Sequence, residues 1–152
     1  MEESEAYDPS STGCVVELIR TGSLVGSRIA AVLRPHGLTE ASFNVLMILE
    51  GSERTLCPHE IGERRLVTRG TVTGVLDSLE RNDLIRRMPH PGDRRSLLIE
   101  LTAAGRALLE RALPEVRAAE VAVMCGLDPD EREALQALLR KANGNIARSQ
   151  TS

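Results

Sequence analysis

Two short segments of the sequence have side chains suited to contact with nucleic acid. The first, residues 68–74, reads Thr-Arg-Gly-Thr-Val-Thr-Gly at the start of a predicted helix. Glycine lets a backbone approach a ligand closely, and arginine and threonine donate hydrogen bonds to phosphates and base edges. The candidate contacts in this segment are Thr68, Arg69, Gly70, Thr71, Thr73 and Gly74. A capped helix with two solvent-facing threonines would show the same pattern.

The second segment is a charged triplet, Asp93, Arg94 and Arg95, which follows a Pro-His-Pro-Gly turn at residues 89–92. Arginine suits the narrow minor groove of A·T-rich DNA, where negative potential is concentrated. The alternative is that these are solvated charges on an exposed hairpin edge, where charge discourages pairing between molecules. Further candidates for DNA contact are His90 beside the triplet and the helix start at Pro58 and His59.

Positive charge is concentrated in the middle of the 152-residue chain. Residues 64–95 contain eight arginines and four acidic residues, although the whole chain carries a net charge of −3. Binding to DNA needs local positive potential, whatever the total charge. Lys141 is the only lysine, and the planar guanidinium of arginine matches phosphates and base edges better than an ammonium does.

The sequence contains no motif typical of catalysis, cofactor binding or metal binding. The sequence has no Gly-x-Ser-x-Gly, no His-Glu-x-x-His and no phosphate-binding glycine loop, so neither an enzyme nor a cofactor is expected. The three histidines and Cys57 are scattered without a ligand spacing, so no metal site is expected. No apolar run approaches the roughly 20 residues that span a bilayer, and the start is acidic. We therefore expect a cytoplasmic protein with no membrane partner.

Hydrophobic periodicity predicts four helices, a β-hairpin and two further helices. The helices are expected at about 14–33, 40–50, 58–64, 68–80, 102–127 and 129–143, and the strands at about 84–88 and 96–101. Pro114 should kink or split the fifth helix, because proline lacks the backbone donor that a helix interior uses. The composition, 41% hydrophobic and 27% charged, is that of one folded domain.

This order of elements resembles the MarR family of bacterial regulators over residues 14–141. The most specific part is the Asp-Arg-Arg of residues 93–95 followed by Leu-Thr-x-x-Gly at Leu101, Thr102 and Gly105. Two departures are visible: Cys57 stands where a serine or threonine often precedes the helix, and the only aromatic residues are Tyr7 and Phe43.

The resemblance implies a mainly α fold with a small β-hairpin wing, a winged helix-turn-helix dimerised through its N- and C-terminal helices. Residues 13–146 would form the domain, with dimerisation helices at 13–35 and 103–146 and the DNA-binding lobe at 38–102. Residues 1–12 and 147–152 are expected to be disordered. The implied function is a sequence-specific, double-stranded DNA-binding repressor that acts as a homodimer on a palindromic operator.

The resemblance also assigns roles to particular residues. Arg95 would enter the minor groove, and the carboxylate of Asp93 would hold it by a charge-assisted hydrogen bond. A small effector would lower DNA affinity by binding an apolar crevice between the dimer helices and the DNA-binding lobe. Residues that would line this crevice are Ile29, Phe43, Met47 and Leu109, all of which are equally good core residues.

Two alternatives remain at this point. Some family members sense organic peroxides through a cysteine near the position of Cys14, for which Cys125 would be a resolving partner. Those sensors surround the thiol with tyrosines, and Tyr7 is the only tyrosine here. The other alternative is a dimeric protein-interaction module that does not bind DNA, against which the arginine-rich middle argues.

Overall fold

The secondary structure follows the order that the periodicity predicts. The computed structural model describes residues 8–63 and 69–149. The elements within them are α1 (Pro9–Leu33), a 3-10 turn (Arg34–His36), α2 (Glu40–Glu50), α3 (Pro58–Glu63), α4 (Arg69–Arg81), β1 (Ile85–His90), β2 (Asp93–Leu101), α5 (Ala103–Val123) and α6 (Pro129–Ser149). The fold is mainly helical with one antiparallel hairpin, as predicted.

The first helix begins earlier than the sequence analysis expects. The carboxylate of Asp8 accepts hydrogen bonds from the backbone N–H groups of Ser10 and Ser11 at 3.0 and 3.2 Å. Pro9 occupies the first helical turn, where its missing N–H costs nothing. Residues 9–12 are therefore helical, and the expectation that they lack structure is wrong.

The last two helices also differ from their predicted bounds. α5 is continuous through Pro114, so the predicted split does not occur. α6 begins with a complete capping box, because Asp128 accepts from the N–H of Glu131 at 2.9 Å and Glu131 accepts from the N–H of Asp128 at 2.9 Å. It continues to Ser149, beyond the predicted stop at residue 143 and into the expected tail.

The chain divides into two compact units, residues 1–119 and residues 120–152, and α5 crosses the boundary. The main core lies in the first unit. Its most deeply buried large side chains are Leu33, Val45, Leu46, Leu56, Ile61, Leu76, Ile85, Ile99 and Val116. They come from α1 to α5, the connection between α2 and α3, and the hairpin, so α4 and both strands are fixed to one core. The second unit contains the end of α5, a turn in which Gly126 has φ of 93°, and α6.

The hairpin is longer than predicted. Its strands extend into the expected turn, so that His90 pairs with Asp93, with a register shift between Pro89 and His90. Leu56 forms an isolated bridge to β2, because its carbonyl accepts a hydrogen bond from the N–H of Ile99 at 2.7 Å. This bridge attaches the segment before α3 to the hairpin.

A close contact explains the Leu-Thr-x-x-Gly pattern. The hydroxyl of Thr102 donates to the carbonyl of Asp83 at 2.6 Å and accepts from the N–H of Gly105 at 3.0 Å. A Cβ placed on Gly105 would lie 2.1 Å from the carbonyl oxygen of Leu84. The first turn of α5 therefore packs directly on the backbone that links α4 to β1, and only glycine fits there.

Candidate nucleic-acid interface

α4 presents a small, polar surface beside a buried apolar stripe. Val72, Val75, Leu76 and Leu79 are buried. Thr73 and Gly74 are exposed, and a Cβ on Gly74 would meet nothing within 4 Å. The helix axis can therefore come close to a partner at this point. Of the other candidates, Thr68 lies outside the described residues, and the description does not cover the side chains of Arg69 and Thr71 or the exposure of Gly70.

Asp93 stabilises the backbone at the start of β2. Its Oδ1 accepts from the backbone N–H of Arg95 at 2.9 Å, and its Oδ2 accepts from the hydroxyl of Ser96 at 2.7 Å. The hydrogen bond from the Arg95 backbone, followed by that from Ser96, lowers the pKa of Asp93. Asp93 therefore holds Arg95 by a charge-assisted hydrogen bond, as predicted, and the donor of that bond is the backbone N–H of Arg95. Arg95 is exposed, and the side chain of Arg94 lies outside the description.

The two histidines proposed for phosphate contact differ in what they already bind. His59 is exposed in α3, immediately after the half-buried Pro58 that begins the helix as predicted. The Nδ1 of His90 accepts a hydrogen bond from the N–H of Gly92 at 3.0 Å. His90 therefore closes the hairpin turn with one ring nitrogen and has the other nitrogen left for a partner.

The start of α3 has an unusual cap that the sequence analysis missed. The backbone N–H of Cys57 donates to Oε2 of Glu60 at 2.7 Å, which is the glutamate half of a capping box. Arg54 also donates to Glu60 through both terminal nitrogens, and with the Cys57 N–H it lowers the Glu60 pKa to about 2. Burial, followed by the charge of Glu60, raises the pKa of the Cys57 thiol. The recognisable signal was the Cys-x-x-Glu spacing, and it explains how a cysteine is tolerated here.

Arg87 joins the hairpin to α4, a contact that sequence spacing alone did not indicate. Its guanidinium donates to Asp77 at 2.6 Å and to Glu80 at 2.5 Å, and its backbone N–H donates to Glu80 at 3.2 Å. Its side chain is only 21% exposed. The neighbouring Arg86 pairs instead with Glu100 on β2 at 2.6 Å. The two adjacent arginines therefore bind different elements: Arg87 binds α4 and Arg86 binds β2.

The residues proposed for an effector crevice pack in the protein core. Ile29, Phe43 and Leu109 are buried members of the main cluster, and Met47 packs against it. The sequence left open whether these side chains line a crevice or pack in the core, and in this structure they pack in the core. A surface cavity of about 180 Å³ lies elsewhere, beside Arg54 and the end of β2.

The cysteines and histidines do not form a site in the part of the chain that is described. Cys14 and Cys125 are exposed and Cys57 is buried. No group of three metal-ligating side chains occurs among the described residues, and none of their helices is long and apolar enough to cross a membrane. The described surroundings of Cys14 give no support to peroxide sensing by its thiol.

The MarR family model matches residues 38–97, which run from the start of the predicted DNA-binding lobe into β2. The HTH-type transcriptional repressor YetL of Bacillus subtilis is 38% identical over 105 residues, and the match covers 68% of this chain and 63% of YetL, less than two thirds of that relative. The HTH-type transcriptional regulator PecS of Dickeya dadantii is 30% identical over 131 residues, covering 85% of this chain and 79% of PecS.

Solved structures of this family share the fold. A MarR family regulator from Streptomyces coelicolor, solved in complex with DNA, has a TM-score of 0.86 at 22% identity, covering 95% of this chain and 92% of that one. BpsR of Bordetella bronchiseptica, whose DNA binding is regulated by 6-hydroxynicotinic acid, has a TM-score of 0.76 at 29% identity, covering 88% and 98%. The chain belongs to the MarR family of winged-helix, DNA-binding transcriptional regulators, which are not enzymes.

Proposed function

We propose that this protein is a repressor that binds a palindromic operator as a homodimer in the cytoplasm. The observation that carries the proposal is the attachment of the hairpin to α4 through Arg87. On the two elements joined in this way, Thr73, Gly74 and Arg95 are exposed. A helix and a hairpin fixed in this way reach adjacent grooves of one duplex.

α4 is the proposed reader of the major groove. Its N-terminal half would supply Arg69, Thr71 and Thr73 to bases and phosphates, with Gly70 and Gly74 allowing close approach. The open space at Gly74 supports this assignment, because a bulkier residue would hold the helix away from the DNA. Thr68, Pro58 and His59 are proposed to contact the flanking phosphates.

The hairpin is the proposed reader of the minor groove. Arg95 is exposed, and the hydrogen bonds of Asp93 to the Arg95 backbone and to Ser96 order the strand from which it projects. Arg94 and His90 are assigned to phosphate contact. Ordering the backbone before binding lowers the entropy that the complex must lose.

Exposed apolar side chains on the terminal helices support the homodimer. α1 exposes Val15, Val16, Leu18, Ile19 and Leu24, and residues 120–149 expose Val121, Leu138, Leu139 and Ile146. A soluble monomer rarely leaves so many large apolar residues uncovered. A second copy of the chain is the proposed cover.

Footprinting on the DNA that flanks the protein's own gene tests this function. The expected result is protection of an inverted repeat, with an affinity for that site at least about 1000-fold above that for a scrambled duplex. Equal affinity for both duplexes would reject sequence-specific regulation, and no binding to either duplex would favour the non-DNA interaction module.

A small effector that releases the DNA is the finer part of the proposal, supported by the regulation of BpsR, which is 29% identical. The predicted crevice residues are core residues here, so the effector would need a site formed in the dimer or opened by repacking. Titrating 6-hydroxynicotinate into the protein–operator complex tests this with a defined probe. Release of operator at a saturable concentration supports effector control, whereas no release up to millimolar concentration rejects this ligand.

A further inference from the structure

We infer that Arg87 is a positioning residue, which sets the angle between the hairpin and α4 and thereby the operator affinity, without contacting DNA itself. The inference rests on the proposed function, because it concerns how the two DNA-reading elements are held. On this inference Arg87 does not bind a phosphate. Asp77 and Glu80, although acidic, support DNA binding because they hold Arg87.

The geometry around Arg87 directs both terminal nitrogens of its guanidinium to acidic residues of α4. Its Nη1 donates to Oε2 of Glu80 and its Nη2 to Oδ1 of Asp77, at 2.5 and 2.6 Å. The second oxygen of Glu80 accepts from the Arg87 backbone N–H at 3.2 Å. Glu80 therefore fixes both the side chain and the main chain of one hairpin residue.

These contacts lie in the second half of α4, away from its proposed DNA-reading start. Asp77 and Glu80 are three positions apart in the helix, so they lie on one face of it. Arg87 spans that face from β1, with a side chain that is 21% exposed. Two ion pairs sharing one planar guanidinium restrict rotation as well as separation, which a single flexible pair does not.

The adjacent Arg86 provides an internal comparison. It carries the same charge on the same strand, but its side chain is 66% exposed and pairs with Glu100 on the partner strand. Removing it takes away equal charge from the hairpin without separating the hairpin from α4. A purely electrostatic effect on DNA binding would be similar for both residues.

The acidic partners give the inference its sharpest test. Asp77 and Glu80 are negative charges near a proposed DNA-binding surface, so removing either one should strengthen DNA binding if only the overall potential mattered. If their function is to hold Arg87, removing them should weaken binding. The two explanations therefore predict opposite signs for one substitution.

The experiment measures operator affinity at several salt concentrations for wild type, Glu80→Gln, Asp77→Asn, Arg87→Gln and Arg86→Gln, each at a temperature where circular dichroism shows it folded. Glu80→Gln and Arg87→Gln are expected to weaken operator binding by about tenfold, with the salt slope unchanged. Arg86→Gln should weaken it by less than about threefold. Hydroxyl-radical protection of the minor groove should be lost in Glu80→Gln, while major-groove protection by α4 remains.

The outcomes separate the inference from the proposed function. Binding by Glu80→Gln that equals or exceeds that of wild type overturns the inference and leaves the proposed function intact. A salt slope lowered by about one unit in Arg87→Gln would show that Arg87 meets a phosphate, which also overturns it. Failure of wild type to prefer operator over scrambled duplex instead rejects the proposed function.

Discussion

At the scale of single residues, the arginines of the central segment differ in what they contact. Arg87 and Arg86 are paired with acids, on α4 and on β2 respectively. Arg95 is exposed, and within the described residues it has no acidic partner for its guanidinium. An arginine without such a partner can enter a groove without first breaking an ion pair, which supports Arg95 as a candidate for base-level contact.

Arg95→Ala is therefore expected to weaken operator binding by about 1–3 kcal/mol per subunit. Arg95→Lys should restore part of that loss, because an ammonium is more strongly hydrated than a guanidinium in a narrow groove. Asp93→Ala should cost less than Arg95→Ala, since it loosens the backbone but leaves the guanidinium in place. Fluorescence anisotropy against operator and scrambled duplex measures all three, and wild-type affinity in Arg95→Ala would reject the wing assignment.

Glu60 should make the stability of the protein depend on acid pH. Its pKa is lowered from 4.5 to about 2 in the folded protein, so its contribution is complete above 4.5 and is lost as the pH falls through about 2. Glu60→Gln is expected to lower the free energy of unfolding by about 1 kcal/mol at pH 7 and to change it little at the lowest pH. Urea unfolding at several pH values measures this, with Glu53→Gln as the control from the neighbouring loop. A pH-independent difference between wild type and Glu60→Gln would contradict it.

At the scale of elements, helix order and caps could be predicted because they depend on neighbouring residues. The side chains of Thr39 and Thr102 cap α2 and α5, close to the helix starts that the periodicity predicts. The cap at Asp8 has the same Asp-Pro order as Asp128 and Pro129, but it lies next to an acidic start without hydrophobic periodicity, so the pattern of apolar residues does not indicate it. The contacts of Arg87 and the packing of Gly105 could not be predicted, since they depend on the orientation of the hairpin against α4 and α5.

Replacing either of two helical glycines, Gly74 and Gly105, by alanine should change the stability of the fold in opposite directions. Gly74→Ala adds a methyl group to open space, so it should stabilise the fold by about 0.5–1 kcal/mol. It should nevertheless weaken operator binding if α4 approaches DNA there. Gly105→Ala forces a Cβ toward the Leu84 carbonyl, and it should destabilise the fold by about 1–3 kcal/mol or more.

Thermal unfolding and operator titration of both variants separate the two roles of glycine. Gly74→Ala that is more stable and binds operator as wild type does would remove Gly74 from the interface. Gly105→Ala with unchanged stability would show that α5 can move away from the link between α4 and β1, contrary to the tight packing of that link.

At the scale of the whole molecule, each unit leaves apolar surface uncovered. Ile19 on α1 is 68% exposed and Leu138 on α6 is 65% exposed. Leu97 on the hairpin is 42% exposed, but it lies in the proposed DNA-binding region and not on a terminal helix. Ile19 and Leu138 are proposed to lie in the dimer interface, whereas Leu97 is not. Leu97 therefore serves as the exposed apolar control.

Ile19→Glu and Leu138→Glu should each dissociate the dimer, because a buried carboxylate without a partner costs several kcal/mol at an interface. Wild type and Leu97→Glu should both give a dimeric mass by light scattering at micromolar concentration. On DNA, wild type should protect two half-sites about one helical turn, roughly 10 base pairs, apart. The dissociated variants should protect a single half-site weakly, since each subunit loses the contribution of the linked second site. A monomeric mass for wild type, or a dimeric mass for both Ile19→Glu and Leu138→Glu, would show that the terminal helices do not form the interface. An asymmetric footprint would reject two-fold recognition of the operator.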